Sequence, residues 1–498
     1  MAGAALDRAM NPTTVGRRHT GAALALICAA QFVLQLDFSI VNVALQAIQH
    51  KLGIAPAELQ WLVTGYALTF GSLLLVGGRI ADLVGRRRLL TVGLILFALA
   101  SLGAGLAHSL FMLIVARIVQ GAAGAMVSPA ALSLLTTTYR EGPERNRALG
   151  IWQAATAGGA TAGILVGGVL TQLLGWRAIF LVNPLLIAPM LVGIRRVVPP
   201  GAAAGGQRLD VRGAALVTAS VATLIFGVSH GQQHGFTSSA TLIAVTASVV
   251  LAIAFVITER IVTSPMLPLS ILASATRRAA VEAMLLTGAI VAAYVYFISL
   301  FLQRVKHFTP IETGLALVPS TATVAITATF ISRRALARFG VKAVLIVGLS
   351  TIAVGQLWLS RIAADTGYAV AVLPGQIVTA FGMGLTFPTA SVAITTGVAK
   401  RDQGLAGGLF VSAQQIGSAV GLAALAAIAA SHTVHAHRSL TAGYRLSFLI
   451  ATAVALLALA LVAVQIRGAD CQEELDRQRL DSGSRQPLNT AEAAARRL

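Results

Sequence analysis

Acidic residues are scarce in this sequence, which has 18 Asp and Glu among 498 residues against 37 Lys and Arg. All charged residues together make up 11% of the chain, whereas soluble domains carry about 25%. With 56% hydrophobic residues and a mean hydropathy of +0.80, this scarcity excludes a large soluble core and predicts many membrane spans. The net charge of +19 does not indicate nucleic-acid binding, because the arginines lie in short links between apolar runs.

Cysteine and catalytic motifs are also rare. The chain has two cysteines, Cys28 and Cys471, which offer no disulfide framework. No phosphate-binding loop occurs in the sequence, so we do not expect the protein to use ATP directly as a source of energy. The intracellular links are short and basic, which disfavours the alternative class of a polytopic membrane enzyme such as a lipid-linked transferase. We interpret the external histidines as solvated side chains and predict neither a metal site nor a cofactor; they are His230, His234, His432, His435 and His437.

The apolar runs have the length of membrane-spanning helices. A bilayer needs about 20 residues per helix, and the sequence offers fourteen such windows. With the N-terminus inside, the cytoplasmic links carry twenty Lys and Arg and the external links seven, as the positive-inside rule requires. We therefore expect both termini in the cytoplasm. The predicted spans are 20–48, 57–78, 88–107, 109–137, 147–174, 176–195, 211–229, 240–259, 278–303, 311–332, 341–361, 367–396, 404–430 and 443–466.

The sequence contains one long internal repeat. The glycines at 150, 159 and 163 recur with the same spacing at 408, 417 and 421. Parallel halves of six helices are typical of transporters, and two further helices separate the halves here. The predicted division is a cytoplasmic N-terminus (1–19), a first half (20–197), a linker with two extra helices (198–275), a second half (276–466) and a cytoplasmic polar tail (467–498).

Charge and glycine concentrate in one link, Gly78–Leu90, which reads G-R-I-A-D-L-V-G-R-R-R-L-L. Gly78 and Gly85 permit close backbone approach or a positive φ at the two helix ends. Asp82 is the one acid among four arginines, so it can pair locally or accept from a helix N-terminus.

The order Gly-x-x-Ala-Asp-x-x-Gly-Arg-Arg, which ends with Arg86 and Arg87, resembles the loop between helices 2 and 3 of the major facilitator superfamily. The resemblance implies that this link is a conformational switch anchored by Asp82. It also implies the partner of Asp82, which is the start of the helix at Gly404 or one of Arg140, Arg145 and Arg147.

Other stretches resemble the fourteen-helix drug:proton antiporters of that superfamily. Leu36–Leu45 (L-D-F-S-I-V-N-V-A-L) is similar to the helix 1 motif, with Gln46 where proline is usual, and Arg117-x2-Gln120-Gly121 is similar to the helix 4 motif. Gly159, Gly163, Gly167 and Gly168 match the helix 5 antiporter motif, except that Ile164 replaces its proline. The resemblance implies a major-facilitator fold and export in exchange for an imported proton.

Asp37 and Arg117 are the candidate proton-coupling residues. An ionisable residue inside a span is functional by default, although a structural hydrogen-bonding role is the alternative for each. Both fall in the outer half of the bilayer and on helices that the fold makes central, so we predict that they pair. Glu282 is a weaker candidate acid, because an interfacial ion pair with Arg278 one turn earlier explains it better.

Amide side chains form a stripe along the first span. The stripe follows one helix face and is predicted to line a substrate cavity, while Asp37 points roughly 200° away from Gln35, into a neighbouring helix. Gln120 is assigned to the same cavity. The stripe consists of Gln31, Gln35, Ser39, Asn42, Gln46 and Gln49.

The sequence therefore predicts an all-α polytopic membrane protein of the major-facilitator fold, with two six-helix halves and two extra helices. We expect a monomer in the cytoplasmic membrane that exchanges small amphipathic drugs or antibiotics for protons. Its expected partners are the substrate, protons and the lipid bilayer, and not nucleic acid. A same-fold exporter dedicated to one metabolite, or one without proton coupling, is the alternative.

Overall fold

A computed structural model describes residues 17–53, 61–139, 141–198, 210–235, 237–262, 265, 267, 269–399, 402–435 and 440–466. Throughout this part of the chain the regular elements are helices. The fourteen long helices are α1 (Arg17–Leu52), α2 (Trp61–Val84), α3 (Arg86–Gly105), α4 (Leu110–Thr138), α5 (Pro143–Leu173), α6 (Ala178–Val197), α7 (Val211–His234), α8 (Ser239–Ile261), α9 (Ala275–Leu300), α10 (Pro310–Ile326), α11 (Ser332–Leu359), α12 (Leu373–Thr395), α13 (Gln403–His435) and α14 (Leu440–Gln465).

Short irregular helices join some of these elements. A 3₁₀ turn (Leu269–Ala273) precedes α9, and a four-residue helix (Tyr368–Ala371) precedes α12. One π turn (Phe301–Val305) extends α9, and another (Thr327–Ile331) connects α10 to α11.

The number of spans agrees with the prediction. Thirteen helical stretches of the described chain are long and apolar enough to cross a bilayer. One of them, Ile311–Leu359, has 49 residues, and Gly340 interrupts it with φ 75° and ψ 174°. It therefore forms two spans, and the predicted all-α, fourteen-span fold is confirmed.

Helix packing repeats between the halves. In the first half α5 packs against α1, α3 against α4, and α6 against α1 and α3. In the second half α13 packs against α9, α11 against α12, and α14 against α9 and α11. Five helices of each half therefore share the same packing arrangement, as an internal repeat requires.

The two extra helices lie beside the bundle. α7 packs against α2 and α13, and α8 packs against α7. Hydroxyl groups hold the pair together, because Ser220 Oγ donates to the Ser248 carbonyl at 2.9 Å and Ser248 Oγ donates to the Ser220 carbonyl at 2.8 Å. Much of α8 is exposed and apolar, including Ile243 and Val250, as expected for a lipid-facing helix.

Two predicted links are wrong in extent. Gly78–Leu90 was expected to be a link, but α2 continues to Val84 and α3 begins at Arg86, so Gly85 alone separates them. Residues 333–340 are likewise helical up to Gly340. Arginine is a good helix former, so a cluster of arginines does not end a helix. The chain turns where glycine adopts a positive φ, which is 102° at Gly85 and 75° at Gly340.

Glycines bring α5 into close contact with α1. A Cβ atom at Gly159 or Gly163 would lie 2.5 Å from the carbonyl oxygen of Phe32 or Leu36, and one at Gly167 would lie 2.8 Å from Ile40 Cγ1. Helices approach this closely only where small residues meet. Gly168 does not belong to this contact, because it faces Ile311 of α10.

Candidate functional site

Asp37 and Arg117 meet inside the first half of the bundle. Asp37 on α1 is fully buried, and the exposed fraction of Arg117 on α4 is 1%. Arg117 Nη1 donates to Asp37 Oδ2 at 2.6 Å, so the contact predicted from the sequence is present. The pair is a charge-assisted hydrogen bond between oppositely charged groups that are both removed from water.

Further polar groups surround the pair. Asp37 Oδ1 accepts from Asn183 Nδ2 at 2.6 Å and from Gln120 Nε2 at 3.2 Å. Arg117 also donates to Gln120 Oε1 at 2.9 Å and to the Leu62 carbonyl at 3.0 Å. Its guanidinium lies 4.3 Å from the centre of the Tyr66 ring. The carboxylate thus receives three hydrogen bonds, which compensate for its removal from water.

Ser101 completes what we call the Asp37 cluster: Asp37, Arg117, Gln120, Asn183 and Ser101. The Ser101 hydroxyl accepts from Gln120 Nε2 at 2.6 Å and from Asn183 Nδ2 at 3.2 Å. The cluster connects α1, α3, α4 and α6 within one half of the bundle.

From the sequence, one member of this cluster was assigned to the wrong site and two others were not identified. Gln120 was assigned to the substrate cavity, but it lies one turn from Arg117 on the same face of α4 and contacts Asp37. Asn183 and Ser101 were not singled out. Asn183 had a usable signal, because it is the one amide in an otherwise apolar span that ends in arginines.

The predicted cavity stripe has mixed surroundings. Gln31 is buried and accepts from Ser128 Oγ at 3.0 Å. The side chains of Gln35 and Ser39 lie against Gly159 and Gly163 of α5. Asn42 is exposed and donates to the Phe38 carbonyl of its own helix. The side chain of Gln46 lies outside the described part.

Asp82 connects the two halves at the end that we predict to face the cytoplasm. Its Oδ1 accepts from the Gly404 N–H and its Oδ2 from the Leu405 N–H, both at 3.0 Å. These two groups belong to the first turn of α13, where N–H groups have no partner within the helix. Arg86 Nη2 donates to Asp82 Oδ1 at 2.9 Å. Of the two predicted kinds of partner, the helix start at Gly404 is therefore the one in contact.

Other predicted residues of the link have separate contacts. A Cβ atom at Gly78 would lie 2.6 Å from the Gly404 carbonyl oxygen, so the backbones of α2 and α13 nearly touch. Arg87 Nη2 donates to the Arg195 carbonyl at 2.9 Å. Arg145 pairs with Glu141 at 3.0 Å rather than with Asp82, and Arg140 lies outside the described residues.

An aromatic contact lies close to this junction. Trp152 of α5 and Phe410 of α13 are both buried, and their ring centres are 6.3 Å apart in an edge-on arrangement. They follow Gly150 and Gly408 by the same two positions, so equivalent residues of the repeat contact each other. The two halves are in contact at this end of the bundle, which is the end that we predict to face the cytoplasm.

The contacts of Glu282 and the location of His230 differ from what the sequence predicted. Glu282 was expected to pair directly with Arg278, but each contacts Gln465 of α14 instead: Gln465 Nε2 donates to Glu282, and Arg278 Nε donates to Gln465 Oε1 at 3.0 Å. His230, expected in a link, lies in α7 with its Nδ1 3.2 Å from Thr241 Oγ1. His437 and the side chains of His234, His432 and His435 lie outside the described part.

A comparison with protein families matches nearly the whole chain. The Major Facilitator Superfamily model matches residues 27–302 and 283–478. The chain belongs to the Major Facilitator Superfamily. Members of this superfamily are transporters, so the alternative of a polytopic membrane enzyme is excluded.

Relatives within the superfamily have names that refer to antibiotics. The chain is 36% identical over 443 residues to the cephamycin export protein CmcT of Amycolatopsis lactamdurans, with 88% of this chain and 91% of the relative covered. It is 34% identical to the puromycin resistance protein pur8 of Streptomyces alboniger, with 82% of each chain covered. It is also 34% identical to the lincomycin resistance protein of Streptomyces lincolnensis, with 88% and 90% covered.

Solved structures of the superfamily share the fold. The human organic anion transporter MFSD10 superposes with a TM-score of 0.67 at 14% identity, over 89% of this chain and 99% of that one. The proton:xylose symporter XylE superposes with a TM-score of 0.63 at 13% identity, over 89% and 95%. At this identity the likeness concerns the fold alone.

Proposed function

We propose that the protein exports antibiotics or other amphipathic drugs in exchange for protons, by alternating access. The observation that carries the proposal is the fully buried Asp37, held by Arg117 between α1 and α4. An intramembrane acid whose pairing changes on protonation is a means of coupling transport to a proton gradient. The name of the cephamycin export protein supports export as the direction of transport, and the names of the puromycin and lincomycin resistance proteins agree with it.

The geometry suggests how the proton acts. A proton that reaches Asp37 neutralises the carboxylate and removes the electrostatic attraction to Arg117. The contact between α1 and α4 then weakens, which helps to release the outward-open state and lets the substrate leave. Release of the imported proton into the cytoplasm restores the pair, and the contacts of Asp82 with α13 close the cytoplasmic side again.

The remaining parts of the proposal concern organisation. The protein is a monomer in the cytoplasmic membrane, with both termini in the cytoplasm and no bound cofactor. Its halves are 20–197 and 276–466, and the segment 198–275 carries the extra pair of helices. Each of the three relatives is named for a single antibiotic, so the competing function is an exporter dedicated to one metabolite. An exporter without proton coupling is the other alternative.

Efflux from proteoliposomes tests the proposal. Purified protein is reconstituted with an imposed pH gradient, and efflux is measured for a panel of cationic and neutral drugs. We expect gradient-driven efflux of several drugs from the wild type, and none from Asp37→Asn, which retains drug binding. Gradient-driven efflux by Asp37→Asn at the wild-type rate would contradict proton coupling through Asp37. Transport of one compound from the panel would favour the dedicated exporter.

A further inference from the structure

One acceptor in the Asp37 cluster has no partner. Among the described residues, Asn183 Oδ1 is buried and accepts no hydrogen bond, while its Nδ2 donates to Asp37 and to Ser101. A side-chain amide has nearly the same shape after a half-turn about its Cβ–Cγ bond, which exchanges oxygen and nitrogen. Asn183 can therefore present either a donor or an acceptor to the same oxygen of Asp37.

The neighbouring groups cannot make this exchange. Arg117 has donors and no acceptor. The Gln120 amide uses both ends, because Nε2 donates to Asp37 and Oε1 accepts from Arg117 at 2.9 Å. A half-turn of Gln120 would place a donor against Arg117. Gln120 thus stabilises the ionised form of Asp37 more than the protonated form, and it has no acceptor free for the hydrogen of the protonated form.

The two protonation states of Asp37 need opposite surroundings. The ionised carboxylate needs donors, and in this structure the two oxygens of Asp37 accept three hydrogen bonds. A protonated carboxyl has one O–H donor, and a buried donor without an acceptor is costly. Among the described residues, Asp37 faces the charged Arg117 on α4 and the titratable Tyr66 on α2, while α3 and α6 contribute the neutral Ser101 and Asn183.

We propose that Asn183 is a two-state positioning residue, whose amide donates to ionised Asp37 and, after a half-turn, accepts the hydrogen of protonated Asp37. The inference rests on the proposed proton coupling. The incoming proton binds Asp37 Oδ1, no other covalent bond forms or breaks, and the amide stays neutral. The Ser101 hydroxyl, which accepts from Asn183 at 3.2 Å in this structure, then turns to donate to the same amide oxygen. The half-turn also moves Nδ2 to the position of Oδ1, which has no hydrogen-bond partner among the described residues, so the exchange is favourable only while the O–H of protonated Asp37 needs an acceptor. In this way α6 responds to the proton that α1 carries.

A comparison of two variants tests this role. The pH of half-maximal efflux is measured in proteoliposomes for the wild type, Gln120→Leu and Asn183→Leu. Gln120→Leu removes a donor that favours the ionised form and removes no acceptor for the protonated form, so its midpoint should rise by about one pH unit. Asn183→Leu removes both a donor to the ionised form and an acceptor for the protonated form. These effects oppose each other, so its midpoint should stay within about half a unit of the wild type, while maximal efflux falls.

The outcomes separate this inference from the proposed function. If the midpoint of Asn183→Leu rises as far as that of Gln120→Leu, Asn183 is a simple donor and the inference is wrong. Asn183→Ala, which removes the amide with less steric change, must give the same order of midpoints if the leucine variant does not fold. If Asp37→Asn still shows proton-driven efflux, the proposed function fails, irrespective of the result at Asn183.

Discussion

Arg117 is a charged side chain held almost wholly inside the protein, in contact with Asp37, Gln120 and the Leu62 carbonyl. Removal of one partner from a buried ion pair leaves the other charge without compensation, at a cost of about 3–5 kcal/mol. We expect Arg117→Ala to lower the free energy of unfolding by that amount, which thermal unfolding of the detergent-solubilised protein would show as a lower melting temperature. Arg88→Ala, at an exposed arginine, is the control and should change stability by about 0.5 kcal/mol or less. Equal melting temperatures for the two variants would show that the pair contributes nothing to stability.

Single functional residues were predictable where their charge contrasts with an apolar span of the sequence. A charge in an apolar span is conspicuous, so Asp37 and Arg117 were found, together with their contact. Ser101 is a small hydroxyl in a span and has no such mark, because its importance comes from α4 and α6, which lie far away in sequence. Tertiary contacts of this kind are decided by the packing of whole helices, and periodicity within one helix does not reveal them.

The contact between α1 and α5 depends on glycine. A Cβ at Gly163 would lie 2.5 Å from the Leu36 carbonyl oxygen and 2.8 Å from Ser39 Cβ, so Gly163→Ala must push the two helices apart. We expect a loss of about 1–3 kcal/mol in stability, measured by thermal unfolding. Gly168→Ala is the matched control, because its Cβ would meet Ile311 Cγ1 at an ordinary 3.7 Å. If both alanines are tolerated equally, the close approach is not essential.

The contact between α2 and α13 depends on the charge of Asp82. Asp82→Asn keeps one acceptor for the first turn of α13 but loses the negative charge that faces the helix N-terminus and Arg86. A charge at this position contributes about 1 kcal/mol, so the cytoplasmic side should open about fivefold more often. We expect slower transport and faster maleimide labelling of a cysteine placed at the buried Ala406, with Cys28 and Cys471 replaced by serine.

A second aspartate at the same junction provides the control. Asp402→Asn alters the weaker contact with Arg79, which measures 3.4 Å, and should increase labelling at Ala406 less than Asp82→Asn does. Unchanged labelling in Asp82→Asn at normal expression would remove the switch role from this residue.

Helix existence was easier to predict than helix ends. Apolar length identified every span, since a bilayer imposes it directly. The ends at 78–90 and 333–340 were wrong because charge was read as a sign of a link. The physical determinant is backbone conformation, and Gly85 and Gly340 were the informative residues.

We predict the orientation of the whole molecule from its basic links. Ala337 lies before the turn at Gly340, on the side we assign to the cytoplasm, and Ala364 lies one span later; both are exposed. In a protein without native cysteines, Ala364→Cys should react with a membrane-impermeant maleimide in intact cells. Ala337→Cys should react only after the cells are permeabilised. The opposite pattern would invert the topology, and with it the direction in which a proton drives transport.

The halves repeat the fold but not the chemistry. Gly163 contacts Leu36, and its counterpart Gly421 contacts Ala289, so the position that corresponds to Asp37 in the second half is Ile290. Ile290 is fully buried and apolar. The repeat was visible in the glycine spacing, whereas this asymmetry emerges from the helix register. In the proposed mechanism proton binding therefore belongs to the first half, which alone has an acid at this position.

The contact between Trp152 and Phe410 makes the intrinsic fluorescence of Trp152 sensitive to whether the two halves are in contact at this end. The indole is buried at the junction of the halves, and its N–H has no hydrogen-bond partner among the described residues. Separation of the cytoplasmic ends must take the ring away from Phe410 and into water, which shifts indole fluorescence to longer wavelength. In a variant with Trp61→Phe, Trp176→Phe and Trp358→Phe, Trp152 is the remaining tryptophan. Its emission maximum should then report each opening and closing of the side that we predict to be cytoplasmic.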